Sequence, residues 1–89
     1  VVQLHVFFSG NVQGVGFRYA ARQMANQYRV IGWVKNLNDG RVEMLVEGDK
    51  LEVKEFLKAL LQGMDRYISE SEVNWSEATR QFTHFGIIH

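Results

Sequence analysis

The feature that most restricts this chain is a change of hydrophobic period across one short glycine loop. Val2, Leu4, Val6 and Phe8 alternate with Gln3, His5, Phe7 and Ser9. Period two marks a strand with one buried face. Gly10-Asn11 ends that pattern, and Val12-Gln13-Gly14-Val15-Gly16 follows as a loop. From Phe17 the apolar positions recur at intervals of three and four: Phe17, Ala20, Ala21, Met24, Ala25 and Tyr28. That spacing is one face of a helix. A strand that feeds a helix through a tight loop opens a β-α unit, whose helix must cover one face of a sheet.

The rest of the chain extends this start. Val30 to Leu37 is rich in β-formers, and Asn38-Asp39-Gly40 carries the residues that a tight hairpin turn requires. Val42, Met44 and Val46 then alternate with Arg41, Glu43, Leu45 and Glu47 as a third strand. Asp49 is placed to cap a second helix, with Glu52 completing an acidic form of the capping box. Val53, Phe56, Leu57, Leu60 and Met64 form its apolar stripe, and Gly63 suits its end. Tyr67 to Trp75 reads as a strand whose alternation slips between Ile68 and Val73, as a bulge near Ser69–Ser71 would produce. Ser76 to Arg80 reads as a loop and Phe82 to His89 as a final strand. The order β-α-β-β-α-β is the split βαβ arrangement. It predicts an α+β fold with two helices on one face of a four- to five-stranded antiparallel sheet.

Composition excludes several functions. A length of 89 residues accommodates one core, so residues 1–89 are expected to form a single domain with a radius of gyration of roughly 12 Å. Ten basic residues offset ten acidic ones, which argues against nonspecific nucleic-acid binding. The absence of cysteine leaves no disulfide, thiol nucleophile or thiolate metal site. His5, His84 and His89 are scattered and form no metal-ligand pair. There is no membrane-spanning apolar run, and Val1 to Gly10 does not read as a signal peptide. A cytoplasmic location is therefore expected, and the glycosylation-like string Asn74-Trp75-Ser76 is read as coincidence.

Chemistry concentrates in the first loop. Successive backbone N–H groups in a glycine loop form a concave nest of partial positive charge, and the N–H groups that open the next helix add to it. Arg18 follows at once, with a planar cationic fork that matches phosphate oxygens. The segment therefore predicts a site for a small phosphate or carboxylate. It is not a Walker A loop, because no Gly-Lys-Ser/Thr follows. Nor is it a dinucleotide fingerprint, because Gly14-Val15-Gly16 lacks the third glycine.

The longer string Gly10-Asn11-Val12-Gln13-Gly14-Val15-Gly16-Phe17-Arg18 closely resembles a signature of the acylphosphatase family. Gly32-Trp33-Val34-Lys35-Asn36-Leu37-Asn38-Asp39-Gly40 resembles that family's second signature, at the expected distance. The resemblance covers essentially the whole chain. It implies a ferredoxin-like α/β sandwich that hydrolyses acyl phosphates to a carboxylate and inorganic phosphate. It further implies that Arg18 is the phosphate-binding catalytic arginine and that Asn36 positions the attacking water. The backbone of Gln13, Gly14, Val15, Gly16 and Phe17 would cradle the phosphate. No cofactor, no metal, no nucleic-acid or membrane partner and a monomeric state are implied with it. Asn11, the lack of a proline after Gly63 and the terminal His89 depart from the family's common pattern.

So few groups suffice for this reaction. The departing carboxylate has an unperturbed pKa of about 4, so it leaves without a general acid. What remains is to hold the phosphoryl group, neutralise charge on its oxygens and place a water in line. An amide such as Asn36 orients water but is too weak a base to deprotonate it. The resemblance implies that the proton passes to a phosphate oxygen of the substrate. Two other readings compete: an anion-binding module without turnover, and RNA stacking on Phe7, Phe8, Trp33 and Trp75. Arg22, one turn beyond Arg18, is read as a surface ion-pair partner, and Lys35 and Arg41 as solvated hairpin charges.

Overall fold

A computed structural model describes every residue from Val1 to His89. The elements are β1 (Val2–Gly10), α1 (Phe17–Tyr28), β2 (Ile31–Asn36), β3 (Val42–Gly48), α2 (Lys50–Gly63), β4 (Ile68–Glu77) and β5 (Phe85–Ile88). A single turn of 3₁₀ helix, Asp65–Tyr67, precedes β4. The sheet has five strands in the order β4-β1-β3-β2-β5. Both helices pack on one face of it, and the radius of gyration is 11.7 Å.

The sheet departs from the expected antiparallel pattern at one place. β1 runs antiparallel to β3 and β4, and β2 antiparallel to β3, but β5 runs parallel to β2. The direction follows from where β4 stops. Glu77 ends β4 beside Val2, the first residue of β1. The chain then crosses that end of the sheet and enters β5 at Phe85, opposite Gly32 near the start of β2. A strand that starts from the end where β1 and β2 start must run in their direction.

The bulge falls where the broken alternation placed it. Ser9 pairs with Glu70 and Gly10 with Ile68, leaving Ser69 without a partner. β4 continues to Glu77, two residues beyond the expected Trp75, so the loop begins later than its sequence suggests. The acidic capping box does not form: Asp49 is the N-cap of α2, but its side chain makes no capping bond.

Burial explains the two hydrophobic periods. Leu4, Val6 and Phe8 of β1, Val42, Met44 and Val46 of β3 and Val34 of β2 meet Phe17, Ala21 and Ala25 of α1 and Val53, Phe56 and Leu60 of α2. All are buried. In β2, Gly32 has φ of 140°, and a Cβ there would lie 1.9 Å from the Leu45 carbonyl oxygen of β3. Only glycine fits there.

One carboxylate fixes the crossing from β4 to β5. Glu47, 1% exposed, lies on the sheet face away from the helices. Its Oε2 accepts hydrogen bonds from Gln3 Nε2 at 2.7 Å, the Thr79 amide at 2.7 Å and Thr79 Oγ1 at 3.0 Å. Its Oε1 accepts one from the Arg80 amide at 3.0 Å. Burial alone would raise its pKa. The hydrogen bonds from Thr79, Gln3 and Arg80 outweigh burial and hold it below the usual carboxylate value.

Candidate active site

The first loop hangs between two buried anchors. Val12 and Phe17 are 1% and 2% exposed, and the Phe17 ring stands 4.9 Å from the Phe8 ring. Between them Gly14 and Gly16 are exposed, with φ of 77° and 79°. These left-handed conformations are ones that residues with a Cβ adopt at a cost. They alternate with ordinary backbone at Val15, the kind of alternation that makes an anion-binding nest. Beyond the adjoining residues of the chain, no atom lies within 4 Å of the position a Cβ would take at either glycine, so the loop is open there.

The start of α1 is equally open. Gly16 is its N-cap and supplies no side-chain capping bond, and no acidic residue stands in the first turn. The first N–H groups therefore lack the carboxylate or hydroxyl that usually satisfies them. Helix starts attract negative charge, yet this one carries Arg18. A cation placed there fits a helix start that receives its negative charge from a ligand.

Asn36 ends β2, and Phe8 lies two residues before the end of β1. Both pair with Val42 of β3, on its two sides. Asn36 thus lies two strand spacings from β1, about 9–10 Å at the usual separation. It alternates with buried Gly32 and Val34, which puts it on the helix-covered face, the face that carries α1. Arg18 closes part of the gap: its Nη1 lies 3.4 Å from Nδ1 of His89. The parallel register pairs Val34 with Ile87 and Lys35 with Ile88, and one further step sets His89 level with Asn36. Loop, Arg18 and Asn36 therefore gather at the end of the sheet where β1 and β2 finish.

Gln13 joins these parts. Its side-chain Nε2 donates to the carbonyl oxygens of Leu37 at 2.7 Å and Arg41 at 2.9 Å. Those two residues close the neck of the β2–β3 hairpin, where the Leu37 amide donates to the Arg41 carbonyl at 2.8 Å. Sequence reasoning assigned Gln13 only a backbone part, because a polar loop residue carries no sign of where its side chain will reach. His89 gave no sign either. Arg22 does not take the expected ion-pair role; its guanidinium lies over the Tyr19 ring, 5.3 Å from the centroid. Arg41 meets Asp39 at 2.9 Å, and Lys35 meets Glu43 at 3.7 Å.

The aromatic residues do not share a stacking surface. Phe8 is in the core, and Trp75 pairs with Leu4 on the helix-covered face. Phe7 and Trp33 lie on the other face, under Arg41 at 4.8 Å and Lys35 at 5.2 Å. No three His, Cys, Asp or Glu side chains gather as a possible metal cluster, and no helix is long and apolar enough to cross a membrane.

The fold is a split βαβ sandwich of the ferredoxin-like class, with a glycine loop and an arginine at one end of its sheet. Its relatives narrow that class. The Acylphosphatase family model matches residues 4–87. An acylphosphatase of Chloroflexus aurantiacus is 40% identical over 89 residues, covering 99% of this chain and 97% of the relative. One from Bacillus velezensis is 48% identical over 63 residues, 71% of this chain and 70% of its own length. The crystal structure of acylphosphatase from Bacillus subtilis matches with a TM-score of 0.92 at 34% identity, covering 100% of both chains. The chain belongs to the acylphosphatase family. Its activity is that of an acyl phosphate hydrolase.

Proposed function

We propose that residues 1–89 act as one domain that hydrolyses acyl phosphates through Arg18, Asn36 and the backbone of Gln13, Gly14, Val15, Gly16 and Phe17. The loop amides and the first N–H groups of α1 hold the phosphoryl oxygens, and Arg18 neutralises the charge that builds on them. Asn36 holds a water in line with the bond to be broken. The water oxygen bonds to phosphorus as the phosphorus–oxygen bond to the acyl group breaks. The acyl group leaves as a carboxylate, and the water's proton passes to a phosphate oxygen. The observation that carries this reading is the uncapped start of α1, which has no acid in its first turn and Arg18 beside it.

A cradle that grips only the phosphoryl group should accept many acyl groups. The same reading has the protein work in the cytoplasm as a monomer, on small molecules and without nucleic acid. The separation of Phe7 and Trp33 from Phe8 and Trp75 supports the last point.

The test is hydrolysis of benzoyl phosphate in EDTA, with Arg18→Ala alongside. Activity that persists in EDTA and disappears in the variant supports the assignment. A folded wild-type protein that binds phosphate without turnover would replace it with an anion-binding module.

A further inference from the structure

We infer that the side chain of Gln13 is a positioning residue, which sets the place of Asn36 relative to the phosphate loop. The inference rests on the assignment of Asn36 to the water and gives the loop a second task.

A neutral carboxamide nitrogen has two hydrogens to donate. Gln13 uses both on one target, at 2.7 Å to the Leu37 carbonyl and 2.9 Å to the Arg41 carbonyl. Both distances are those of well-formed N–H···O bonds. Leu37 is the residue after Asn36. Arg41 is the residue before Val42, which pairs with Asn36. The amide therefore grips both strands of the hairpin just beyond the last rung of their ladder. Within the hairpin, Asn36 is held by its pairing with Val42 and by the neck bond from the Leu37 amide to the Arg41 carbonyl; past that point only the exposed turn Asn38–Gly40 remains, and Gln13 is what ties this neck to the loop.

The loop end of the tether is also fixed. Gln13 follows buried Val12 and precedes exposed Gly14. One side chain thus links the rigid root of the phosphate cradle to the strand end that carries Asn36. In-line attack is sensitive to such spacing, and a misplacement of about 1 Å can cost about a hundredfold in rate. Phosphate binding needs only the loop amides and Arg18, so the tether acts on turnover and not on affinity.

Gln13→Met tests this, because it keeps length and apolar packing while removing both donors. Gln13→Glu is the second variant; its carboxylate cannot donate and would face two carbonyl oxygens. Three quantities are measured: inorganic phosphate affinity, kcat on benzoyl phosphate, and amide hydrogen exchange at Leu37. We expect phosphate affinity within about threefold of wild type, kcat lower by about 10- to 100-fold, and faster exchange at Leu37. In an Asn36→Ala background, Gln13→Met should lower kcat no further, because a residue that acts through Asn36 has nothing left to position.

The inference is overturned by wild-type kcat in both variants. It is also overturned by a loss of phosphate affinity as large as the loss of kcat, or by the full kcat loss recurring in the Asn36→Ala background. Full turnover in Asn36→Ala alone would instead remove the role of Asn36, and with it the object of the positioning. Unchanged exchange at Leu37 would remove the tether whatever the kinetics show.

Discussion

Arg18 Nη1 and His89 Nδ1 stand 3.4 Å apart, which joins the first turn of α1 to the residue after β5. At that length, on an exposed pair, the bond is weak. It steers the guanidinium toward the strand end that carries Asn36 without anchoring it there. His89→Ala should therefore change phosphate affinity by no more than about threefold, below 1 kcal/mol. Arg18→Ala should lower kcat/KM by about a thousandfold or more, as loss of a phosphoryl-clamping arginine does elsewhere. Arg18→Lys should recover little, because an ammonium does not reproduce the fork. Phosphate titration and benzoyl phosphate kinetics on the three variants check this. An effect of His89→Ala equal to that of Arg18→Ala would show that the pair acts as a unit.

Asn36→Ala should leave inorganic phosphate affinity within about twofold of wild type and lower kcat by about a hundredfold or more. The asymmetry is the test. Equal losses in binding and turnover would place Asn36 in the cradle and not beside the water.

Glu47 accepts four hydrogen bonds while almost wholly buried. Glu47→Ala leaves the amides of Thr79 and Arg80 without their acceptor and should cost about 3 kcal/mol. Thermal unfolding should then begin some 12–24 °C lower. A fall of less than about 4 °C would mean that the crossing to β5 does not depend on this carboxylate.

The same group sets part of the acid stability. The folded-state pKa of Glu47 lies below its ordinary value. Its stabilising contribution is therefore fully present above the unfolded carboxylate pKa of about 4.3, and is lost as pH falls through the lower folded value. Wild-type stability should decline below about pH 5, and Glu47→Gln should show a shallower decline from a lower plateau. Parallel curves, measured by urea unfolding between pH 3 and 7, would assign the acid sensitivity to other carboxylates.

Gly32→Ala should cost about 4 kcal/mol or more, because the new methyl group would meet the Leu45 carbonyl at 1.9 Å. Gly16→Ala meets no atom and should cost only the left-handed strain of about 1–2 kcal/mol. Urea unfolding of the pair separates collision from conformation.

What could be read in the sequence was whatever one element decides by itself. The period-two run of Val2 to Phe8 and the helical spacing of Phe17 to Tyr28 were visible because each has one face in the core. β4 blurred at its ends because almost every residue in it is exposed, so burial wrote no alternation into it. The parallel setting of β5 depends on where β4 stops, which is a property of the whole sheet. In the same way, the positions of Arg18 and Asn36 were marked by their motifs. The contacts from Gln13 to Leu37 and from Arg18 to His89 span the fold and leave no local trace.

β4 is also the strand that borders the loop. Its first residue, Ile68, pairs with Gly10, where a Cβ would come within 2.6 Å of the Tyr67 carbonyl. The root of the proposed phosphate cradle thus leans on the strand that has one neighbour and almost no apolar cover. An edge strand with so little apolar cover should open at lower free energy than the core strands. If the ligand binds only the population in which β4 is seated, ligand binding and the opening of this edge should be thermodynamically linked. Occupancy of the site should be felt as slower amide exchange at Ile68, at a strand that contributes no residue to the chemistry.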